Sequence, residues 1–136
     1  MLLAKLENKI RDLGLKSGDK VLVSSDLLNF FIQIKKTNNQ ITINNIIDIL
    51  LKIIGKNGTI LFPTFNWDFC KGKEFDPKKS RSMTGSLSSA ALKRKEFKRS
   101  RNPIYSFAVA GKDRDYICRL KHKACFGLDS PLGYLI

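Results

Sequence analysis

The sequence is poor in the residues from which metal centres and disulfide frameworks are built. It contains one histidine and three cysteines, Cys70, Cys118 and Cys125, and it has no Cys-x-x-Cys spacing. A zinc site takes about four ligands, and an odd number of scattered cysteines supports no disulfide framework. His122 and Cys125 stand three residues apart, but no second pair accompanies them. We therefore expect no metal site and reduced, structural thiols.

The sequence also lacks an apolar run long enough to cross a membrane. Its longest apolar stretch, residues 41–54, is interrupted by polar and charged residues, whereas a membrane span needs about 20 apolar residues. Lys5, Glu7 and Lys9 break the apolar start of the chain, so no signal peptide is predicted. The sequence predicts a cytoplasmic protein with no membrane partner.

Positive charge is abundant and unevenly distributed. The 136 residues include 25 Lys and Arg against 12 Asp and Glu, and residues 71–136 hold 16 of the basic and 6 of the acidic side chains. Six of these basic residues lie within residues 93–101. Such a cluster can bind phosphates, although it is also typical of a solvated helix face. One alternative is therefore a small nucleic-acid-binding or interaction module. Phe97 is the only aromatic residue within this cluster, so a base-stacking surface is not favoured.

Helix-like and strand-like patterns alternate along the chain. The spacing of apolar residues predicts helices over residues 2–13, 27–34, 42–54, 86–95 and 113–122, and a Ser-Pro helix start at 130–131. Apolar runs predict strands at 20–24, 59–63 and 105–110. This order predicts an α/β fold, a three-layer α/β/α sandwich with a mostly parallel sheet. Since only three strands are evident, we expect residues 1–136 to form a single, C-terminally truncated and incomplete domain.

Three segments at predicted strand ends carry candidate ligand-binding residues. Ser24, Ser25 and Asp26 lead from a strand into a helix, where free N–H groups can bind a phosphate. Arg99 precedes a strand whose edge could pair with an extended, amide-bearing ligand. Thr64 opens an irregular, aromatic-bearing segment, residues 64–83. Taken singly, these features are also typical of a helix cap, a solvated charge and core aromatic residues.

Taken together and in this order, these segments resemble the aminoglycoside 3-N-acetyltransferase family, the antibiotic N-acetyltransferases. The match covers nearly the whole chain, and it depends on the order and spacing of several motifs. The matching stretches are residues 21–27 (VLVSSDL), 58–67 (GTILFPTFNW), 75–77 (FDP), 84–87 (TGSL), Arg99-Ser100, Asn102-Pro103, Ser106-Phe107 and 126–132 (FGLDSPL).

The resemblance implies transfer of an acetyl group from acetyl-CoA to an amine of an aminoglycoside or related amino sugar. The biological setting would be antibiotic resistance or the modification of surface sugars. Asp68 and Asp76 would attract the cationic acceptor, and no metal would be needed. The coenzyme would contact Ser24, Ser25, Asp26, Leu27, Thr64, Arg99, Ser106 and Phe107.

The resemblance also implies a catalytic Thr…His…Glu motif, which would lie beyond Ile136. The one histidine, His122, matches a position away from that motif, so we assign no catalytic residue and expect the isolated chain to be inactive. Family members often carry histidine where Ser24 and Asn102 stand, a departure that bears on coenzyme affinity and substrate preference. The acceptor amine and the oligomeric state stay open.

Overall fold

A computed structural model describes residues 2–136 and places four strands in one sheet. The strands are β1 (Lys20–Leu22), β2 (Thr59–Pro63), β3 (Lys98–Arg99) and β4 (Phe107–Gly111), in the spatial order β1-β2-β4-β3. The short strands β1 and β3 form the two edges, and the longer β2 and β4 lie between them. Every residue of β2 is buried because helices cover both faces of the sheet.

Six α-helices surround the sheet, and the sequence predicted all of them. They are α1 (Leu2–Asp12), α2 (Leu28–Lys35), α3 (Ile43–Ile54), α4 (Ser86–Ala91), α5 (Arg114–Arg119) and α6 (Pro131–Tyr134), with a short 3₁₀ helix at Asp68–Lys71. Thr42 caps the start of α3: its side chain accepts from the Asn45 amide, and Asn45 Oδ1 accepts from the Thr42 amide in return. Gly55 caps the other end of the helix. In residues 2–136, no helix is both long enough and apolar enough to cross a bilayer.

Two hydrophobic cores lie on opposite faces of the sheet. Ile60 and Phe62 of β2 pack with α1–α4 on one face, whereas Leu61 packs with α5 and α6 on the other. This division follows from the alternation of side chains along a strand. The structure confirms the three-layer α/β/α arrangement.

The sheet is not mostly parallel as expected, because β4 runs in the opposite direction. Strands β1 and β2 are parallel, but β4 is antiparallel to both β2 and β3. Only seven residues, 100–106, join β3 to β4. A link that short returns the chain in the opposite direction, since a parallel crossover needs a dozen or more residues. The sheet is therefore mixed.

Strand β3 and the early ends of two helices also depart from the sequence prediction. Helix α4 stops at Ala91 instead of Lys95, and the chain turns so that Phe97 stacks on Phe62 with ring centroids 5.4 Å apart. Helix α5 stops at Arg119, so His122 lies in irregular structure and not in a helix. At the end of α4, the contact of Phe97 with the sheet takes precedence over helical periodicity.

We expect Gly111→Ala to destabilise the protein far more than Gly14→Ala. Both glycines have left-handed backbones, with φ of 109° and 99°, so alanine is strained at either position. At Gly111 the new Cβ would also collide with the carbonyl oxygen of Gly58 in the neighbouring segment, whereas the space at Gly14 is open. Urea denaturation should show a loss of about 1 kcal/mol in unfolding free energy for Gly14→Ala and about 3 kcal/mol for Gly111→Ala. Equal losses would contradict the close approach of Gly58 to Gly111.

Candidate functional site

Most of the residues singled out in the sequence meet at one end of the sheet. The parallel pairing of β1 and β2 brings their carboxyl ends together, and the amide of Val23 donates to Leu61 O at 2.9 Å. Pro63 pairs with Phe107, and the amide of Thr64 donates to Ser106 O at 2.9 Å. The carboxyl ends of strands are where ligands gather in open α/β sheets. This end of the sheet is therefore the candidate site.

The turn at residues 24–27 is the most accessible part of this end. Ser24, Ser25 and Asp26 are exposed, and Leu27 is half-buried at the start of α2. Asp26 Oδ1 accepts from the Leu28 amide at 3.0 Å, so the expected helix cap is made by Asp26, one residue ahead of the N-cap position. The first backbone amide of α2 is therefore already hydrogen-bonded to a carboxylate. The two serines add exposed hydroxyl donors that this turn offers to a ligand.

A cavity of about 390 Å³ lies between this turn and the start of α4. It is lined by Ser25, Leu28, Phe31, Ile43 and Ser86, among others. Gly85 takes a left-handed backbone just before α4, with φ of 105°, which favours glycine. A Cβ added there would be in ordinary contact with the Ser25 carbonyl oxygen, at 3.6 Å. The cavity has hydroxyls at its rim and apolar walls.

Arg99 is buried at this end of the sheet and bonded entirely to protein groups. Its guanidinium donates to Thr64 O at 2.7 Å, to Ser106 Oγ at 2.9 Å and to the carbonyl of Ser80, and the residue is only 7% exposed. Burial lowers the pKa of Arg99 from its ordinary value, but a guanidinium still stays protonated. Arg99, expected beside a coenzyme phosphate, therefore has its donors occupied by the protein.

The polar groups around Arg99 form one closed network. The Ser106 hydroxyl lies 2.9 Å from Thr64 Oγ1 and 2.9 Å from Thr64 O. Thr64 and Ser106 are fully buried. Among the described residues, no buried side-chain nitrogen or oxygen lacks a partner. The network is satisfied internally, which is what a buried charge requires.

The expectation that Ser106 and Phe107 form an open strand edge is wrong. Strand β4 lies inside the sheet, with β2 on one side and β3 on the other. The amide of Phe107 donates to Ser100 Oγ at 2.8 Å, and its carbonyl accepts from the Ser100 amide at 2.9 Å. The sequence showed no sign of β3, because its two residues lie within a run of basic side chains. That unrecognised strand covers the edge.

The irregular segment 64–83 is held to the sheet at both of its ends. Phe65 packs edge-on against Phe107, with ring centroids 5.4 Å apart. Near the other end, the carbonyl of Ser80 accepts from the guanidinium of Arg99 in β3, and the carbonyl of Arg81 accepts from Asn66 Nδ2 at 2.8 Å. Thr84 Oγ1, just beyond the segment, donates to the Pro63 carbonyl. The sequence predicted no structural role for Asn66 or Thr84. The position of Thr84, directly before a Gly-Ser helix start, was the one local pattern that could have indicated its role.

Asp68 and Asp76 both lie on this segment and engage nearby groups. Asp68 starts the 3₁₀ helix, and its Oδ2 is 3.9 Å from Lys73 Nζ. Asp76 Oδ1 accepts from the Lys78 amide at 2.8 Å, which shapes a turn. Both carboxylates are half-buried. Asp76 therefore caps a turn, and the carboxylate of Asp68 has one weak ion-pair partner.

The basic cluster at residues 93–101 is not a continuous charged surface. Arg94 is paired with Asp48 Oδ1 at 2.6 Å and Glu96 Oε1 at 2.8 Å, and these partners raise its pKa. Arg99 is buried, and Lys98 Nζ lies 3.8 Å from Asp115 Oδ1. Three of the six charges are thus compensated or enclosed, which weakens the case for a nucleic-acid surface.

The histidine and the cysteines are dispersed. His122 Nδ1 lies 3.0 Å from the carbonyl oxygen of Ala124, and not beside a carboxylate. Cys118 is buried, and its loss of hydration raises its pKa to about 11, whereas Cys70 is exposed. Within residues 2–136, no group of three or more His, Cys, Asp or Glu side chains is arranged to hold a metal ion.

Comparison with known proteins gives a family and a fold. The family model for aminoglycoside 3-N-acetyltransferase matches residues 24–136. Among solved structures, aminoglycoside acetyltransferase AAC(3)-Xa is similar, with a TM-score of 0.78 and 24% sequence identity over 98% of this chain and 52% of that one. The YokD protein from Bacillus subtilis has a TM-score of 0.80 and 23% identity, over 98% of this chain and 60% of that one.

A third similar structure, AAC-IIIb as a binary complex with CoASH, has a TM-score of 0.78 and 21% identity over 98% of this chain and 55% of that one. At these identities the structural likeness shows the fold. The chain spans between 52% and 60% of the length of these three structures. Among curated proteins, no sequence matches this chain.

We expect Arg99→Ala to destabilise the fold strongly, while Arg101→Ala leaves it nearly unchanged. Removing the Arg99 guanidinium takes the donor from the half-buried Ser80 carbonyl, one of two donors from the buried Thr64 carbonyl and a partner from the Ser106 hydroxyl, at a cost of about 3 kcal/mol. Arg101 is exposed, so its removal takes away a charge without touching the network. Urea denaturation of both variants checks this, and an unfolding midpoint unchanged in Arg99→Ala would contradict the role of the network.

Proposed function

The chain belongs to the aminoglycoside 3-N-acetyltransferase family, and from this premise we propose that it forms the acetyl-CoA-binding part of an N-acetyltransferase. The acceptor is an amine of an aminoglycoside or a related amino sugar. The observation that carries the proposal is the meeting of the residue 24–27 turn with Thr64 and Ser106 at one end of the sheet, beside a cavity of about 390 Å³. The chain spans about half of its structural relatives, so activity, substrate and partners all belong to this proposal.

The coenzyme contacts in this proposal fall into two groups. The first group touches the coenzyme directly: Ser25, Asp26 and Leu27 line the cavity, and Ser24 is exposed beside them. The serine hydroxyls suit the amides of the pantetheine arm, and the apolar walls suit its methylene and methyl groups. The second group is buried below the turn and fixes the backbone against which the coenzyme binds; it consists of Thr64, Arg99, Ser106 and Phe107.

The acceptor side of the proposed site is the segment 64–83. An amino sugar carries several positive charges at neutral pH, and a half-buried carboxylate attracts such a cation more strongly than one fully in water. Asp68 fits this role best, since its nearest ion pair with Lys73 is 3.9 Å long and thus weak. Asp76 contributes by holding the turn that follows.

The proposed reaction needs a base as well as a binding site. An ammonium group must lose a proton before its nitrogen can attack the thioester carbonyl. The C–S bond then breaks, leaving an amide and the free thiol of CoA. His122 is directed to a backbone carbonyl and has no carboxylate to orient it. We assign no base among the described residues and expect the isolated chain to bind the coenzyme without transferring the acetyl group.

The proposal has two further parts, a cellular location and a domain organisation. A cytoplasmic location is expected, since acetyl-CoA is available there. Residues 1–136 would form one structural unit, because both hydrophobic cores share the same sheet.

We expect CoA to raise the melting temperature of the protein, and Ser25→Trp to abolish the rise. A ligand that binds only the native state stabilises it in proportion to its occupancy. Tryptophan at position 25 would fill the cavity beside the turn. The matched control is Asn29→Trp, also exposed at the start of α2 but not part of the cavity lining; the temperature rise should persist in it.

Thermal denaturation and calorimetry with CoA at millimolar concentration check binding, and release of free thiol from acetyl-CoA in the presence of an aminoglycoside checks transfer. A folded protein that gives neither heat nor a change in melting temperature would refute the proposed coenzyme site. Thiol release dependent on the aminoglycoside would refute the expected inactivity of the isolated chain.

A further inference from the structure

A cavity of about 450 Å³ lies along β3, the strand at one edge of the sheet. Phe97 from one hydrophobic core and Cys118 from the other both line it, so the cavity extends around the edge strand. Pro77 and Lys78, which belong to the segment 64–83, also line it. Among residues 2–136, it shares no lining residue with the cavity beside the residue 24–27 turn. We call it the β3 cavity.

The lining of the β3 cavity is positively charged. Four of its eight lining residues are basic, and within the described chain none is acidic; the basic ones are Lys78, Lys98, Arg99 and Arg101. The remaining walls are largely apolar, with Leu92 and Phe97 among them. A cleft that is lined by charges of one sign and has apolar walls concentrates the field and attracts the opposite charge.

Three of these four cations have side chains that a ligand can reach. Lys78 and Arg101 are exposed and form none of the salt bridges found among residues 2–136. Lys98 has one long ion pair, 3.8 Å from Asp115 Oδ1, and Arg114 binds the same oxygen at 3.1 Å. The donors of Arg99 are occupied by the protein. The cavity therefore offers three weakly compensated donors above a buried positive charge.

The β3 cavity lies on the side of the sheet that the proposed acceptor segment covers. Strands β2 and β3 are both antiparallel to β4, so they run in the same direction, and Arg101 follows β3 at the end of the sheet where the candidate site lies. The Arg99 guanidinium donates to the Ser80 carbonyl and stands 5.1 Å from the centre of the Phe75 ring. The segment 64–83 is thus held directly against β3.

Three cations around one cavity suit a phosphate, because a phosphate monoester carries nearly two negative charges and three acceptor oxygens. We infer that the β3 cavity binds the phosphate group of the acceptor, and that this acceptor is an amino-sugar phosphate. The inference rests on the proposed function, since the amine that receives the acetyl group belongs to the same molecule. The net charge of +13 agrees with it, because the chain as a whole repels a polycationic amino sugar and attracts one that carries phosphate.

Isothermal titration calorimetry with three probes, each with and without saturating CoA, tests this inference. Glucosamine 6-phosphate carries one amine and a phosphate, glucosamine lacks the phosphate, and kanamycin carries several amines and no phosphate. The double variant Lys78→Gln with Arg101→Gln removes two cations from the cavity. Its matched control, Lys121→Gln with Lys123→Gln, removes two exposed lysines outside the lining. Urea denaturation confirms that both variants fold like the parent chain.

We expect the parent chain to bind glucosamine 6-phosphate about tenfold more tightly than glucosamine, and more tightly than kanamycin. The double variant in the cavity should weaken binding of glucosamine 6-phosphate about tenfold and leave glucosamine unchanged. The control variant should keep all affinities within twofold. Saturating CoA should leave binding of glucosamine 6-phosphate intact, because acceptor and coenzyme occupy different cavities.

Four results would overturn the inference while leaving the proposed function in place. They are no binding of glucosamine 6-phosphate, tighter binding of kanamycin, equal weakening by both double variants, and displacement of glucosamine 6-phosphate by CoA. Equal weakening would mean that only overall charge matters, and displacement would mean that the cavity serves the coenzyme. If the parent chain binds glucosamine 6-phosphate but gives no heat with CoA, the proposed function fails, and the acceptor role of the cavity fails with it.

Discussion

A single buried charge organises the end of the sheet where the candidate site lies. The Arg99 guanidinium can be removed from water only if its donors are paired, because an unpaired buried cation costs several kcal/mol. Its fork reaches the carbonyls of Thr64 and Ser80 and the hydroxyl of Ser106, which belong to separate parts of the chain. The hydrogen bonds of this one side chain thus fix the backbone after β2, the backbone before β4 and the last residues of segment 64–83. The position of the accessible turn follows, because β1 pairs directly with β2.

Local patterns predicted much of this fold. Strand β2 has the predicted bounds, and α3 follows the predicted cap at Thr42 and stop at Gly55, because in both cases propensity and burial agree. The meeting of the residue 24–27 turn with Thr64 was also predictable, since parallel strands end at the same edge. These features could be predicted because each depends on residues that are close together in the sequence.

What the sequence did not predict depends on contacts between distant residues. Arginine is rarely buried, so a run containing Lys98 and Arg99 is typical of a solvated surface and not of a strand. With β3 unrecognised, β4 was expected to lie at an edge, and its reversed direction could not be foreseen. The burial of Arg99 among protein partners was not foreseen for the same reason. Its partners are carbonyls 19 and 35 residues away in the chain, and no local pattern marks them.

The residues of segment 64–83 that anchor it to the sheet differ from the residues that form its exposed surface. Its first residues and its last ones are bonded to the sheet and to Arg99, while Trp67 and Phe69 between them are exposed. Mutations near the middle of the segment would therefore alter the surface around Asp68 without loosening the core. The segment can therefore change its exposed side chains while its anchors keep the end of the sheet intact, so the demands of stability and of surface chemistry fall on different residues.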